Sequence, residues 1–291
     1  MSRPYYKPDP IVGGGGAQYI SAEYKLNEPW EEQANNVKLV GHSELNGWGD
    51  AFQIQVSNGI CYVAASGING HDGMTILDVK DPSKPKILNQ ISDSPGARTH
   101  KVLKINDEIM ITNSELRPNL IDQYPDLVGG LKVFDISDPI NPKFLRYVKT
   151  DGYGVHRPIY DRERKLLYSS GYRDGFDKKI LLIHDMKDPA NPEFIGQGWV
   201  EGQRHGENYS WDNSIVKNEA WCHEGNPWGN YVTAGWWDGG IVLFDCTDPS
   251  NPKFQWRHNP HETHGWAGCF HSFLVPKGSE FGIITSVKYF S

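Results

Sequence analysis

The chain of 291 residues lacks the features that mark several large classes of protein. It has four cysteines, scattered without CxxC spacing, so we expect buried free thiols rather than disulfides or a thiolate metal site. No apolar run is long enough to cross a bilayer, and the opening residues, MSRPYYKPDP, lack the apolar core of a signal peptide. These absences predict a cytoplasmic protein.

An excess of basic charge is also missing. The net charge is −7 and the isoelectric point is near 5.9. Nucleic acids and anionic membrane surfaces are recognised by basic faces, so neither is an expected partner. The sequence contains no GxSxG, Walker A or HExxH motif, and the glycine run from Gly13 to Gly16 follows no strand pattern. Nucleotide cofactors are therefore excluded from the interpretation.

What the sequence does contain is a repeat. The stretch LKVFDISDPINPKFLRYV begins at Leu131, and related copies begin at Met74, Ile180 and Ile241. Their Asp-Pro pairs are 57, 50 and 60 residues apart, and self-similarity at such a period indicates a repeat architecture. These pairs begin at Asp81, Asp138, Asp188 and Asp248.

Each copy has the pattern of a β-hairpin. A β-branched and aromatic run ends at the Asp-Pro turn, where proline stops the strand, and a second apolar run follows. Two further strand signals precede the hairpin, as in Phe52 to Val56 and Ile60 to Ala64, which flank Asn58-Gly59. Four strands in about 50 residues form one blade of a β-propeller. The predicted fold class is therefore all-β.

The repeats also predict the domain organisation. We expect residues 1–36 to form an irregular arm and residues 37–291 to form one propeller domain. Val37 to Val40 resembles the outer strand of another blade, and a fifth blade begins near Phe270. Four full blades and one partial blade leave an unpaired edge. We expect a fragment of a six- or seven-bladed ring, with closure of five blades as the alternative.

These hairpin strands resemble the LVIVD-repeat β-propeller proteins. The strand that names the family appears here as TILDV, LKVFDI, LLIHDM and IVLFD, and the resemblance extends from about Val37 to Phe290. It implies a radial propeller and does not specify a reaction, because one fold carries many functions.

When the blades are aligned on their inner strands, one polar residue recurs at the first position. Inner strands surround the central channel, so these side chains are predicted to form a ring. Neutral imidazoles completed by a carboxylate are typical ligands of zinc, copper or iron, and we predict such a divalent metal site. The predicted ligands are Asp50, His100, His156, His205 and His271.

Two positions of this ring have alternatives. His264 competes with His271 in the fifth blade, and His223 is a reserve for His205 in the fourth. A packed, hydrogen-bonded set of repeated histidines that holds no metal is the other interpretation of the whole ring. The remaining histidines of the repeats are expected to be structural or solvated: His71, His184, His258 and His261.

Loops on the same face are expected to surround this ring. The long loop 113–130 supplies Glu115, a candidate acid-base group, and Arg117, and a second long loop covers residues 206–230. Guanidinium and aromatic groups suit a small substrate that is anionic or aromatic. The alternative is that the arginines pair with acidic residues of neighbouring blades. The candidate substrate-binding residues are Arg98, Arg157, Arg204, Tyr172, Arg173, Trp236 and Trp237.

The predicted ring of histidines is similar in architecture to that of the carotenoid-cleaving oxygenases, in which histidines from several blades hold iron. The repeat also resembles parts of the selenium-binding proteins, propellers with histidine-held copper and methanethiol oxidase activity. These resemblances favour a metal-dependent enzyme of oxidase, oxygenase, hydrolase or lyase type. The alternative function is a scaffold that binds a protein partner through exposed tryptophan and tyrosine side chains.

Overall fold

The computed structural model describes residues 37–48, 51–66, 72–92, 96–208, 220–259 and 269–287. Within these ranges the chain forms nineteen β-strands and two short 3-10 turns, Leu45–Gly47 and Ile121–Gln123, and no α-helix. No helix of this part has the length and hydropathy needed to cross a bilayer. The predicted all-β class is confirmed, whereas the arm predicted for residues 1–36 lies outside the described residues.

The first two blades are antiparallel sheets whose strands follow one another in space as in sequence. The inner strand of blade two is divided into two short pieces that both pair with β7. Blade one contains β1 (Ala51–Ser57), β2 (Ile60–Ser66), β3 (Asp72–Asp78) and β4 (Lys86–Ser92). Blade two contains β5 (Ala97–Arg98), β6 (Val102–Lys104), β7 (Ile109–Leu116), β8 (Gly130–Asp135) and β9 (Lys143–Lys149).

Blades three and four repeat this order, and two strands of a fifth blade follow. Four blades and one partial blade are thus formed, as the repeats predicted. Blade three contains β10 (Asp151–Asp161), β11 (Leu166–Tyr172), β12 (Lys179–Asp185) and β13 (Glu193–Gly198). Blade four contains β14 (Ala220–Trp228), β15 (Tyr231–Trp237), β16 (Ile241–Asp245) and β17 (Lys253–His258), and the fifth contains β18 (Cys269–Leu274) and β19 (Ile283–Val287).

The Asp-Pro turns have the same hydrogen bonds in all four blades. The aspartate side chain accepts the backbone N–H two residues later, at 3.0 Å for Asp81 and 2.9 Å for Asp248. Its backbone carbonyl accepts the N–H three residues later, for example from Asn141 to Asp138 at 3.2 Å. Aspartate before proline therefore recurs because it satisfies the backbone of the turn that joins the two outer strands.

The hydrophobic core lies between blades. Because side chains alternate across a strand, Leu166 and Tyr168 of β11 pack with residues of blade four, whereas Leu167 between them packs with blade two. The four cysteines are buried and form no disulfide, and two of them lie in the cluster between blades three and four. Blade three is thus buried on both faces by its neighbours.

The two long loops predicted from the sequence, 113–130 and 206–230, are shorter in the structure. In blade two, β7 continues to Leu116, because Ala97 pairs with Leu116 and Arg98 with Glu115, so residues 113–116 are strand. In blade four, the segment predicted as loop 206–230 contains the inner strand β14. The prediction placed the start of that strand at His205, and the structure places it at Ala220.

The segment Val37 to Gly41 lies where the outer strand of a preceding blade is expected. Gly41 approaches the turn of blade one so closely that an added Cβ would lie 2.0 Å from the carbonyl oxygen of Pro82. Gly196 of the outer strand β13 makes the same approach to Pro249 of blade four, at 2.1 Å. The equivalence supports the interpretation of this segment as an outer strand.

The packing between blades generates a stability prediction. Leu181 is fully buried between blades three and four, where it packs against Gly225 of β14. Leu181→Ala should lower the free energy of unfolding by about 2 to 5 kcal/mol, because it removes buried apolar area and leaves a cavity. Leu145→Ala is the control, since Leu145 is 45% exposed, and should change the free energy by less than about 0.5 kcal/mol. Equal effects in urea denaturation would contradict the assignment of the core.

Candidate metal centre

The inner strands bring four imidazole rings into one row, which we call the histidine row. His100 follows β5, and His156, His223 and His271 lie in β10, β14 and β18. Consecutive ring centroids are 4.2, 4.8 and 3.7 Å apart. Each blade from the second to the fifth therefore contributes one imidazole to a continuous contact.

Close approach of backbones between blades creates this row. Gly154 of β10 pairs with Glu115 of β7, and with φ of +89° it lies against Ser114, whose carbonyl oxygen would be 2.2 Å from an added Cβ. Gly235 of β15 leaves similar room for the carbonyl of His271, 2.5 Å from an added Cβ. A side chain at Gly154 would push β10 away from blade two, and a side chain at Gly235 would push β18 away from blade four.

The row has a closed end and an open end. His100, His156 and His223 are buried, with 1%, 1% and 2% of their surface exposed, and His271 is half-buried. Burial lowers the pKa of the three buried imidazoles well below the usual value, and nearby cationic groups add to the effect. Burial and Arg157 lower the pKa of His271 to about 4. All four rings are therefore neutral at pH 7 and retain a lone pair.

Glu115 holds the second ring of the row. Its Oε2 atom lies 2.6 Å from Nδ1 of His156 and accepts a hydrogen bond from Nε of Arg98 at 2.9 Å. Its Oε1 atom accepts a hydrogen bond from Nζ of Lys179 at 3.0 Å. Burial raises the pKa of Glu115, but Arg98 and Lys179 outweigh that effect, so the net pKa is lowered and the group is a carboxylate. Nδ1 of His156 consequently carries the hydrogen, and its Nε2 carries the lone pair.

The free nitrogens of the row fit a metal ion. Nε2 of His156 lies 3.1 Å from Nε2 of His223, and two nitrogens bound to one ion at about 2.1 Å lie roughly 2.9 to 3.4 Å apart. The same distance suits an N–H···N hydrogen bond without an ion. Donor atoms of His100, Glu115 and His156 also lie within 4.8 Å of one another.

Buried nitrogens without partners strengthen the fit. Within the described residues, Nδ1 of His100 and Nδ1 of His223 are buried and make no hydrogen bond, and Nε2 of His100 lies 3.5 Å from Oε2 of Glu115 without a hydrogen bond. Such groups are rare in folded proteins and are often explained by a ligand, an ion or a water. The donor set of neutral imidazoles therefore matches the metals predicted from the sequence.

A second polar layer lies beside the row. Each row histidine is followed directly by one of its members, Lys101, Arg157, Glu224 or Ser272. Nη1 of Arg157 lies 3.3 Å from Oε2 of Glu224, and the hydroxyl of Ser272 donates to Oε1 of Glu224 at 2.5 Å. This layer adds two cationic groups and a second carboxylate to the site.

Aromatic side chains close one side of the row. Trp221 and Trp237 are stacked with centroids 4.4 Å apart, and Trp237 also stacks on His223 at 5.7 Å. Nζ of Lys179 lies 4.1 Å from the centroid of Trp221. Trp237 has φ of +51°, an uncommon conformation for a bulky residue. This wall keeps water from the buried part of the row.

The structure brings some predicted site residues together and separates others. Six of them meet at the row, and Trp237 forms part of its aromatic wall. The six are His100, His156, His271, Glu115, Arg98 and Arg157. His205 lies in a turn with its side chain 61% exposed, 3.3 Å from Asp177, and His223 takes its place because β14 begins at Ala220. Asp50 and His264 lie outside the described residues.

The other predicted residues contact different partners. Nε of Arg117 donates to the carbonyl of Ala97, and the indole of Trp236 donates to Gln203 in the core between blades. Further pairs are Arg173 with Phe194, Arg204 with Trp199, and Tyr172 with Tyr153.

Sequence reasoning did not select Lys179, Lys101, Glu224 or Ser272. A signal for the last three was available, because each directly follows a row histidine. Lys179 is harder to find, since it lies at the start of a repeat strand, ahead of Ile180.

The fold and the site define a β-propeller in which successive inner strands bring a buried row of histidines together. Three segments, residues 48–92, 126–150 and 228–259, match the family model described as LVIVD repeat. These segments match the LVIVD repeat, and the sheets they belong to are arranged as propeller blades. No curated protein matches the chain.

Solved structures with a similar fold include the periplasmic gluconolactonase of Pseudomonas aeruginosa, with a TM-score of 0.53 and 10% identity over 79% of this chain and 61% of that one. A hypothetical selenium-binding protein from Sulfolobus tokodaii has a TM-score of 0.52 and 11% identity over 77% of this chain and 54% of that one. Sqt1 of Saccharomyces cerevisiae has a TM-score of 0.50 and 11% identity, over 78% and 52%. The chain thus spans about half to three fifths of these proteins, and the likeness concerns the fold alone.

The neutral histidines generate a pH prediction for chelator-treated protein. The pKa of His271 is about 4 in the folded state and 6.5 without the fold, so unfolding takes up a proton between these values. Its contribution to stability is complete above pH 6.5 and is lost as the pH falls towards 4. His271→Gln should therefore reduce the slope of the unfolding free energy against pH by about 1.4 kcal/mol per pH unit in this window.

Urea denaturation between pH 4.5 and 7 measures the slope. Ser279→Ala is the control, because it removes no titratable group, and should leave the slope unchanged. The same slope in wild type and His271→Gln would contradict the lowered pKa.

Proposed function

We propose that this protein is a metal-dependent enzyme that acts on a small organic anion at the open end of the histidine row. The observation that carries the proposal is the separation of 3.1 Å between Nε2 of His156 and Nε2 of His223, combined with the carboxylate that fixes the first of these rings. With the hydrogen of His223 on its Nδ1, two lone pairs at this separation suit one ion.

The chain offers four neutral imidazoles to such an ion. His156 and His223 would hold it, and the adjacent rings of His100 and His271 would complete the set by small side-chain movements, since among the described residues only His100, Glu115 and His156 form a group of three donors within 4.8 Å of one another. Iron, copper and zinc all accept imidazole ligands, and the bound metal would act as a Lewis acid or activate oxygen. Glu115 orients His156 and, with its lowered pKa, is a poor proton donor at neutral pH, so we assign it this orienting role rather than acid-base catalysis.

The charge around the row favours an anionic substrate. Four cationic side chains surround the row, and two carboxylates contact or approach them, which leaves two positive charges in excess. The cationic residues are Arg98, Lys101, Arg157 and Lys179, and the carboxylates are Glu115 and Glu224. The chain as a whole carries −7, so this positive region is local. A local positive potential concentrates anions, and guanidinium groups bind carboxylates in pairs of hydrogen bonds.

Access is expected from the side of His271. That ring is half-buried, as are Arg157 and Lys101, whereas the opposite end is closed by Phe52, whose ring lies 4.2 Å from His100. A substrate entering here would meet Arg157 before it reached His223. Its carboxylate would bind at the second polar layer, and its reacting group would face the row.

Metal content tests the proposal directly. Protein purified without chelator should contain about one equivalent of a transition metal by elemental analysis, and His156→Ala and His223→Ala should reduce this to background, because each removes one of the two closest ligands. His205→Ala and His258→Ala are matched controls that remove histidines outside the row and should leave the metal content unchanged.

Folding must be compared in the same variants by circular dichroism. Wild type that is folded yet binds no added zinc, copper or iron would contradict the proposal and would favour a scaffold that binds a protein partner. Retention of metal in both row variants would contradict the assigned ligands.

Anion binding tests the substrate class. Small carboxylates should bind metal-loaded protein in calorimetric titrations, and Arg157→Gln should weaken binding about 10-fold or more, because it removes a charged hydrogen-bond donor at the open end. Arg173→Gln is the control, since Arg173 packs on Phe194 away from the row.

The reaction class is identified by a separate assay, in which turnover of carboxylate-bearing esters and lactones is measured with and without oxygen. Equal weakening by Arg157→Gln and Arg173→Gln, or stronger binding of cations than of anions, would overturn the assignment of an anionic substrate.

A further inference from the structure

We propose that Ser272 and Glu224 form a relay that fixes the tautomer of His271, so that Nδ1 of this ring carries the hydrogen and Nε2 keeps the lone pair. The inference deepens the proposed function and rests on it for its purpose, although the relay itself is a property of the metal-free protein. In this assignment Ser272 and Glu224 are positioning residues, because they act through His271.

The direction of each hydrogen bond follows from the chemistry of the groups. Glu224 forms an ion pair with Arg157, whose Nη1 lies 3.3 Å from Oε2, so it is a carboxylate and can only accept. The hydroxyl of Ser272 therefore donates its single hydrogen to Oε1 of Glu224, at 2.5 Å. Towards Nδ1 of His271, at 3.2 Å, the same oxygen can then only accept. Nδ1 of His271 must carry the hydrogen, which leaves Nε2 with the lone pair.

The relay reproduces the arrangement at the other carboxylate of the site. Glu115 accepts directly from Nδ1 of His156, whereas Glu224 reaches Nδ1 of His271 through one hydroxyl. Both histidines are thereby held in the same tautomer, on either side of His223. The ring of His223 lies 3.7 Å from that of His271 and 4.8 Å from that of His156.

The relay depends on three blades. Arg157 of blade three holds Glu224 of blade four at 3.3 Å, and Ser272 belongs to the fifth blade. The strand that carries Ser272 is fixed against blade four, since Trp237 pairs with Phe270 and Gly235 contacts the backbone of His271. The backbone thus sets the place of His271, and the hydrogen bonds set the identity of its protonated nitrogen.

A merely structural role for Ser272 predicts a different outcome from a positioning role. If the hydroxyl only stabilised the sheet, its removal would lower stability and leave the ring tautomer unchanged. If it positions His271, its removal exchanges a fixed tautomer for a mixture, because Nδ1–H loses its acceptor. The tautomer is therefore the decisive observable.

Nitrogen-15 NMR of histidine-labelled, chelator-treated protein at pH 7.5 measures it. In wild type we expect Nδ1 of His271 to have the chemical shift of a protonated nitrogen and Nε2 that of an unprotonated one. In Ser272→Ala both shifts should move towards intermediate values, and in Ser272→Thr, which keeps the hydroxyl, they should return to the wild-type values. Ser279→Ala, at an exposed turn, is the control and should change neither shift.

Zinc affinity provides the second readout. Ser272→Ala should weaken zinc binding about 10- to 100-fold by competition with a chelating dye, as loss of an orienting partner of a metal ligand does, and Ser272→Thr should restore it. If wild type binds no zinc while the tautomer responds as expected, the proposed function fails and the relay stands. If wild type binds zinc and the tautomer in Ser272→Ala is unchanged, the relay is overturned and the metal site stands.

Discussion

The close contact between the inner strand of each blade and the blade before it is the constraint on which the rest of the structure depends. Gly154 lies against Ser114 and pairs with Glu115, and Gly235 lies against the backbone of His271. Because neither glycine has a side chain, adjacent sheets approach each other enough for imidazoles of different blades to touch. The apolar packing between the sheets stabilises this approach, and the histidine row results from it.

The protonation states of the histidines and glutamates at the row follow from the same close contact between blades. Three rings are buried so deeply that protonation is unfavourable, and the cationic neighbours make it more so, whereas the same cations keep both glutamates ionised. The site therefore combines neutral imidazoles with two carboxylates, of which Glu115 accepts a hydrogen bond from His156 and Glu224 accepts one from Ser272. Such a combination keeps lone pairs available at neutral pH.

Most of the fold could be predicted from sequence because each blade repeats the same local rules. The Asp-Pro turns, the Asn58-Gly59 hairpin and the alternating apolar strands specify the blade without reference to distant residues. Three row positions, His100, His156 and His271, were predicted from register along the inner strand. At the fourth position the structure places His223, the alternative, instead of His205, because blade four departs from the repeat spacing. The pairing of Glu224 with Gly235 identifies His223 as the residue in register.

The partners of the row were harder to predict. Glu115 was assigned to a loop, since no residue pattern shows that β7 extends to pair with a separate two-residue strand. Lys179 reaches Glu115 from another blade, and a contact between positions 64 residues apart leaves no mark in one sequence. Contacts across blades depend on the angle between sheets, which the local rules do not encode.

The distribution of the row over four blades has a consequence for folding. Its first and last members are separated by most of the chain, from His100 to His271, so the contacts that build it are non-local and are expected to form late, after the individual sheets. An ion held there would bind the assembled molecule and not its separate blades. It would consequently stabilise the arrangement of the blades against one another, so that loading the centre would resist the separation of neighbouring sheets.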